Sequence, residues 1–171
     1  VPCSVVVLAP AIALEMNLNP LEVGLLLTLH RFGSALGYFP SGLLADSVRN
    51  RGNLLMLTFW WVGLGYLLAS WAPGFWSLAF LFALAGCGDA AWHPLATAIL
   101  VQSDPQKRGQ ALGFHAIGGT LSAVVGPMIV GFLLASMDWR ETLHWIILPT
   151  LLVGFLFLKI RKWVPEQPQR K

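Results

Sequence analysis

Two side chains in this sequence sit where their chemistry is out of place. Arg31 and Asp89 each lie near the middle of a long apolar run. A charge at the centre of a bilayer costs about 2.5–3.5 kcal/mol on insertion scales, so neither is expected to face lipid. His30, His93 and His115 lie in the same kind of surroundings, and Trp92 precedes His93. Asp89 and His93 are four residues apart, which puts them on one helix face. Three chemistries use such a set. Arg31 and Asp89 can form a buried ion pair that locks helix against helix. The group can line a path for solute or protons, with Asp89 as the group that titrates. The histidines can hold a metal or haem, since neutral imidazole is a common ligand, although no HxxxH or CxxCH pattern is present. Cys3 and Cys87 are too far apart for a metal-type spacing and read as small buried apolar residues.

The elements that must position these residues are long and apolar. Runs at 20–45, 54–72, 75–101, 109–135 and 142–158 follow a shortened first run that closes at 12–15. At about 1.5 Å per residue, helices of this length match the ~30 Å hydrocarbon core of a bilayer. The chain is 56% hydrophobic and 11% charged, with a mean hydropathy of +0.68. A soluble domain carries about 25% charged residues, so this sequence cannot build a water-facing surface. Residues 1–15 read as the second half of a spanning helix whose start is missing. Asn19 before Pro20, with Glu22 following, reads as a helix N-cap with Pro at the first position. Asp104 and Pro105 close one helix and open the turn before the next.

The charges sort by connector. Arg49 and Arg51 lie in 46–53, Lys107 and Arg108 in 103–110, and Lys159, Arg161, Lys162, Arg170 and Lys171 in 159–171. All of these share one side if every run crosses once, and the opposite connectors hold only Arg140. The positive-inside rule puts the basic side in the cytoplasm. The net charge of +3 is therefore spread around the spans and forms no stripe for nucleic acid. Trp71, Trp76, Trp139 and Trp145 lie near the outer boundary, as interfacial anchors or as packing groups.

The fifth run is rich in small residues. Gly118, Ser122 and Gly126 recur every four positions beside Gly113, Gly119, Ala123 and Gly131, a face that lets another helix approach closely. Pro127 removes a backbone donor within it. Ordinary packing inside a bundle and a rocking contact are both compatible with such a face. An internal echo links the second and fifth runs, where His30 through Leu44 recurs loosely as His115 through Leu134. Inverted repeats of three-helix units are a transporter device.

The stretch from Gly42 to Arg51 resembles the G-x-L-a-D-r-x-g-r-r loop signature of the major facilitator superfamily. Gly42, Leu44, Ala45, Asp46 and Arg51 match it, while Ser47, Arg49 and Asn50 depart. The resemblance implies that this loop, with Asp46 at the N-terminus of a partner helix, latches a cytoplasmic gate. Gly42 would allow close helix approach, and Arg49, Arg51, Lys107 and Arg108 would hold the cytoplasmic side. Gly113, Gly126, Pro127 and Gly131 fit the fifth-helix antiporter pattern G-x8-G-x3-G-P-x2-G-G, with Ser122 and Val130 replacing glycines. In the fourth-helix pattern R-x-x-q-G-x-g-a-a, Gly86 and Gly88 align, but Phe82 stands where the Arg should be; Arg31 is the candidate substitute. Trp92-His93-Pro94, followed by Arg108-Gly109 and Phe114 to Gly119, is similar to the fosmidomycin-resistance-type branch.

The expectation is thus an all-α membrane protein, a six-transmembrane-helix bundle of two inverted three-helix units with its first helix truncated. Residues 1–158 would form the N-terminal half of a transporter and 159–171 a basic cytoplasmic linker or tail. The resemblance implies secondary transport of a small solute by alternating access, as proton-coupled efflux, with no enzyme activity and no resident cofactor. Arg31, His30, Asp89, Trp92, His93 and His115 would line the substrate or proton path. Gly113, Gly118, Ser122, Gly126, Pro127 and Gly131 would face a missing C-terminal six-helix half. The expected setting is a bacterial inner membrane. The alternatives are a haem or metal protein using the histidines and a non-catalytic six-helix assembly subunit.

Overall fold

In the computed structural model, residues 2–166 are described. They form six helices, with no strand among them: α1 Pro2–Glu15, α2 Pro20–Ser47, α3 Arg51–Ala69, α4 Phe75–Ser103, α5 Arg108–Leu134 and α6 Trp139–Ile160. A short 3-10 turn, Arg161–Trp163, extends the last of them. This is the all-α membrane bundle expected from the runs. Four helices, α3 to α6, are long and apolar enough to cross a membrane by themselves. α2 has the length, at 28 residues, but is not among the four. His30 and Arg31 in its middle lower its hydropathy, so its place in a membrane depends on covering them.

The helix starts follow local chemistry. Asn19 Oδ1 accepts from the Glu22 amide at 3.0 Å, and the Asn19 amide donates to Glu22 Oε2 at 2.8 Å. This reciprocal capping box satisfies donors that the first turn would otherwise leave open. Asp138 caps α6 by accepting from the Glu141 amide at 2.8 Å. Asp104 Oδ1 takes the amides of Gln106 and Lys107, which shapes the turn into α5.

Hydrogen bonds sort the connectors into two ends. At the basic end, Arg49 Nε donates to Glu166 at 2.6 Å and Arg161 donates to Asn53 at 2.8 Å. Arg51 is buried there; its Nε donates to the Ala45 carbonyl at 2.7 Å and its Nη1 to Gln102. At the other end, Arg140 donates through Nε to Glu15 at 3.1 Å and through Nη1 to the Ser70 carbonyl at 2.6 Å. Its guanidinium lies 4.2 Å from the Trp139 ring centroid. One side chain thus ties α1, α3 and α6 together. Hydrogen bonds to a charged donor contribute about 1.5–3 kcal/mol, less where solvent reaches the pair. Arg140→Ala is therefore expected to destabilise the helical bundle by about 1–2 kcal/mol in a detergent unfolding titration. An unchanged midpoint would show that α1 is held without it.

The tightest contact in the molecule is between α2 and α4. Gly33, Gly37, Ser41 and Ala45 form a buried stripe at four-residue spacing. A Cβ at Gly33 would collide with the backbone of Ala83, and one at Gly37 with the backbone of Cys87. From the other side, a Cβ at Gly86 would strike the His30 carbonyl. Small residues here allow backbone-to-backbone approach, the packing that replaces hydrophobic drive in lipid. The main core is built around this contact and includes Leu26, Tyr66, Leu78, Phe82, Leu143 and Ile147.

One expectation changes and others narrow. The close approach expected at Gly42 does not occur in this chain, since nothing lies within 4 Å of a Cβ built there; the small-residue seam of α2 uses Gly33 and Gly37 instead. The space at Gly113, Gly118 and Gly131 is likewise open, so these glycines do not serve packing inside this bundle. Val130 is the one buried residue of α5 among the described residues. Trp139 is buried in the core, unlike Trp71, Trp76 and Trp145, which are exposed as interfacial anchors would be. Cys87 is half-buried, beside the α2 seam; the side chain of Cys3 lies outside the described residues.

Candidate functional site

A cavity of about 570 Å³ opens between α3, α4, α5 and α6. α4 supplies Asp89, Trp92, His93 and Thr97 to its wall. α5 supplies His115, Gly119 and Ser122, α3 supplies Thr58 and Phe59, and α6 supplies Thr150. The spacing of Asp89 and His93 predicted a shared face, and both do reach this wall. Ser122, placed by its spacing on a helix-contact face, lines the cavity as well.

The aromatic side of the cavity is already organised. The Trp92 and His93 rings stack with centroids 4.2 Å apart. His115 meets Trp92 edge-on at 5.2 Å and faces His93 at 6.4 Å. Tyr38 of α2 stacks on the far side of the set, 6.2 Å from His93. Rings held by one another lose little freedom when a solute packs on them.

Behind the cavity wall lies a buried polar chain. Tyr66 Oη donates to Asp89 Oδ2 at 2.6 Å. His30 Nε2 lies 2.7 Å from Tyr66 Oη and 3.6 Å from Asp89 Oδ2. Asp89 is 6% exposed and His30 2%. The chain spans α4, α3 and α2, and Phe82 packs edge-on against both the His30 and Tyr66 rings. Phe82 is the residue that replaces the expected fourth-helix Arg, and an apolar ring there covers this polar chain from one side.

The Arg31–Asp89 ion pair, one of the three arrangements the sequence allows, is not formed. Arg31 is exposed and pairs with no carboxylate among the described residues. Its helix position explains this. His30 occupies the buried stripe of α2, so its neighbour points about 100° away. Arg31 is seven residues from Tyr38, hence on the same side of α2 as the ring that stacks on His93. Its charge acts on Tyr66 through space. Four of the six path residues, Asp89, Trp92, His93 and His115, therefore meet at one cavity; His30 joins through Tyr66, and Arg31 stands apart. Tyr66 was not foreseen. The signal for it was a tyrosine inside an apolar run, since a buried phenol needs a partner.

The metal reading finds no donor set. Among the described residues no three His, Cys, Asp or Glu side chains converge. His30 is turned to Tyr66, while His93 and His115 meet one another at the cavity.

At the basic end, Gly42, Asp46, Thr97 and Gln102 line a shallower hollow. Asp46 interacts with the charge of Arg51, which Gln102 and the Ala45 carbonyl hold in place. Arg49, Lys107 and Arg108 are exposed beside it.

Comparison with known proteins agrees with this architecture. A family model described as Major Facilitator Superfamily matches residues 3–171. The chain is 31% identical over 154 residues to a probable 4-methylmuconolactone transporter of Cupriavidus pinatubonensis, covering 87% of this chain and 36% of the relative. It is 32% identical over 140 residues to organic cation/carnitine transporter 3 of Arabidopsis thaliana, covering 80% and 26%. A probable sugar efflux transporter of Helicobacter pylori is 28% identical over 166 residues, covering 96% and 41%. The chain thus spans well under half the length of these relatives. With an all-helical bundle, apolar spans and a family match over nearly its whole length, the chain belongs to the major facilitator superfamily, whose members are membrane transport proteins and not enzymes.

Proposed function

We propose that this chain is the N-terminal six-helix part of a secondary transporter that exports a small organic solute in exchange for protons. The observation that carries the reading is Asp89, a carboxylate inside a membrane bundle, on the wall of a solute-sized cavity. A group there that changes protonation biases the inward-open against the outward-open state. The bare α5 supports a missing second half. Gly113, Gly118, Gly119 and Gly131 meet nothing, yet the helix is apolar and continuous through Pro127. The relatives' greater length supports the same conclusion. Exposed Arg31 supports it too, because a mid-helix cation facing lipid is costly and a facing half or a wet cavity removes that cost.

In this reading Asp46, Arg49, Arg51, Lys107 and Arg108 form the gate at the cytoplasmic face of a bacterial inner membrane, with the tail inside. Residues 167–171 of that tail lie outside the described residues. Trp92-His93-Pro94 keeps the fosmidomycin-resistance-type branch as part of the reading. The relatives' names suggest lactones, sugars and organic cations as first solutes to try.

The test is flux in liposomes carrying the full-length protein and a trapped pH dye. Solute leaving one side should bring protons across in the opposite direction. Solute movement with no change in pH would overturn the coupling, and movement of both in one direction would replace exchange by symport.

A further inference from the structure

We propose that Asp89 does not hold its proton alone: Asp89, Tyr66 and His30 form one relay that passes a proton from the cavity wall to a buried imidazole. This rests on the proton-coupled reading above; it adds Tyr66, which no spacing rule supplies, and gives His30 a definite role.

The geometry gives the chain two polarities. Tyr66 has one hydroxyl proton, and it donates to Asp89 Oδ2 at 2.6 Å. Its oxygen must then accept from His30 at 2.7 Å, so this arrangement requires a proton on Nε2. The direction is His30 to Tyr66 to Asp89, with Asp89 as carboxylate and His30 as an imidazolium protonated on both nitrogens: this is the loaded state. On discharge each hydrogen moves across one bond: the Nε2 hydrogen passes to Tyr66 Oη and the Tyr66 hydrogen to Asp89 Oδ2. That leaves an imidazole protonated on Nδ1, an intact tyrosine and a carboxylic acid, which gives its proton to the cavity. Loading is the reverse: Asp89 takes a proton from the cavity and passes it to Tyr66 as Tyr66 gives its own to Nε2. One proton enters at Asp89 and one is gained at His30, and the Nδ1–H bond is unchanged throughout.

The surroundings suit a store rather than a leak. Asp89 lines the cavity, whereas His30 and Tyr66 do not. Phe82 packs edge-on against both rings, and Tyr66 lies in the same apolar core as Val5, Leu8 and Ile12 of α1. Charged and titratable groups reach the relay from α2 and α4. Arg31 on α2 acts on Tyr66, while His93 on α4 interacts with Asp89 and with His115 on α5. The imidazolium and carboxylate, 3.6 Å apart, would form a neutral pair. A stored proton thus leaves Asp89 anionic at the cavity but cancels its charge at a distance.

Nitrogen NMR of histidine in the full-length protein, in lipid nanodiscs, tests this without any solute. His30→Gln assigns the His30 signals. In the unmodified protein, His30 Nε2 should switch role in the same pH step in which the Asp89 carboxylic infrared band appears or disappears. Tyr66→Phe removes one oxygen and should split that common step into two independent ones. Asp89→Asn should abolish the step at His30. A His30 titration unchanged by Tyr66→Phe overturns the relay even where proton-driven flux stands. Shared titration in a protein that shows no proton-driven flux keeps the relay and removes the transport reading. Should Tyr66→Phe fail to fold, His30→Gln must move the Asp89 infrared step; an unmoved step overturns the proposal equally.

Discussion

Replacing Asp89 by Asn should reduce transport driven by a pH gradient by about 100-fold or more, the scale on which positioned proton-transfer groups act. The substitution is chosen because it preserves shape. The amide oxygen of the new side chain would still accept from Tyr66 Oη, where the carboxylate accepts at 2.6 Å, so the seam between α3 and α4 should survive. What is lost is the ability to bind a proton at the cavity wall. Exchange of solute for solute at equal pH needs no net proton and should continue, provided the solute does not itself require the negative charge. The two fluxes, measured in the same liposomes, separate coupling from binding. An Asp89→Asn variant that still concentrates solute against a gradient at the unmodified rate would show that the proton travels elsewhere. His93 and His115 would then be the groups to examine, since both face the same cavity.

The contrast between Asp89 and Tyr66 shows what a sequence exposes and what it hides. Asp89 announces itself because a carboxylate in an apolar run violates the local solvent. The N-cap at Asn19, with Glu22 following, was equally legible, because its partners are three residues apart and need no tertiary structure. The basic connectors were legible for the same reason, and the hydrogen bonds at both ends agree with their grouping. Tyr66 breaks no local rule. Its importance appears only when α3 brings it between residues 36 and 23 positions away. Arg31 misled because it too violates its solvent, yet a single residue of helical phase separates it from the buried stripe that His30 occupies. Small-residue stripes carried a similar ambiguity. Gly118, Ser122 and Gly126 on α5 have the same four-residue period as Gly33, Gly37 and Ser41 on α2. Which stripe is covered within this chain depends on helix order and tilt, which spacing does not encode.

That difference between the two stripes sets the second large effect. Gly33→Leu should destabilise the bundle by about 3 kcal/mol or more, at or beyond the upper end for overpacked sites. The clash is with the Ala83 carbonyl, carbonyl carbon and Cα, so no side-chain rotation can relieve it. α2 and α4 would have to move apart. Doing so would open the seam that also brings Gly37 against Cys87 and Gly86 against His30. It would draw His30 away from Tyr66 and Asp89, so coupling should fail along with stability. Gly118→Leu is the matched control: the same side chain at an open position of α5, with an expected change within about 0.5 kcal/mol for this bundle. In the full-length protein the control becomes a probe, because a leucine at Gly118 should block transport if α5 docks there against a second half. Detergent unfolding titrations of both variants, with flux measured beside them, decide the matter. Equal stability of Gly33→Leu and the unmodified protein would mean that α2 and α4 are not in backbone contact. The relay and the cavity wall would then need a different frame.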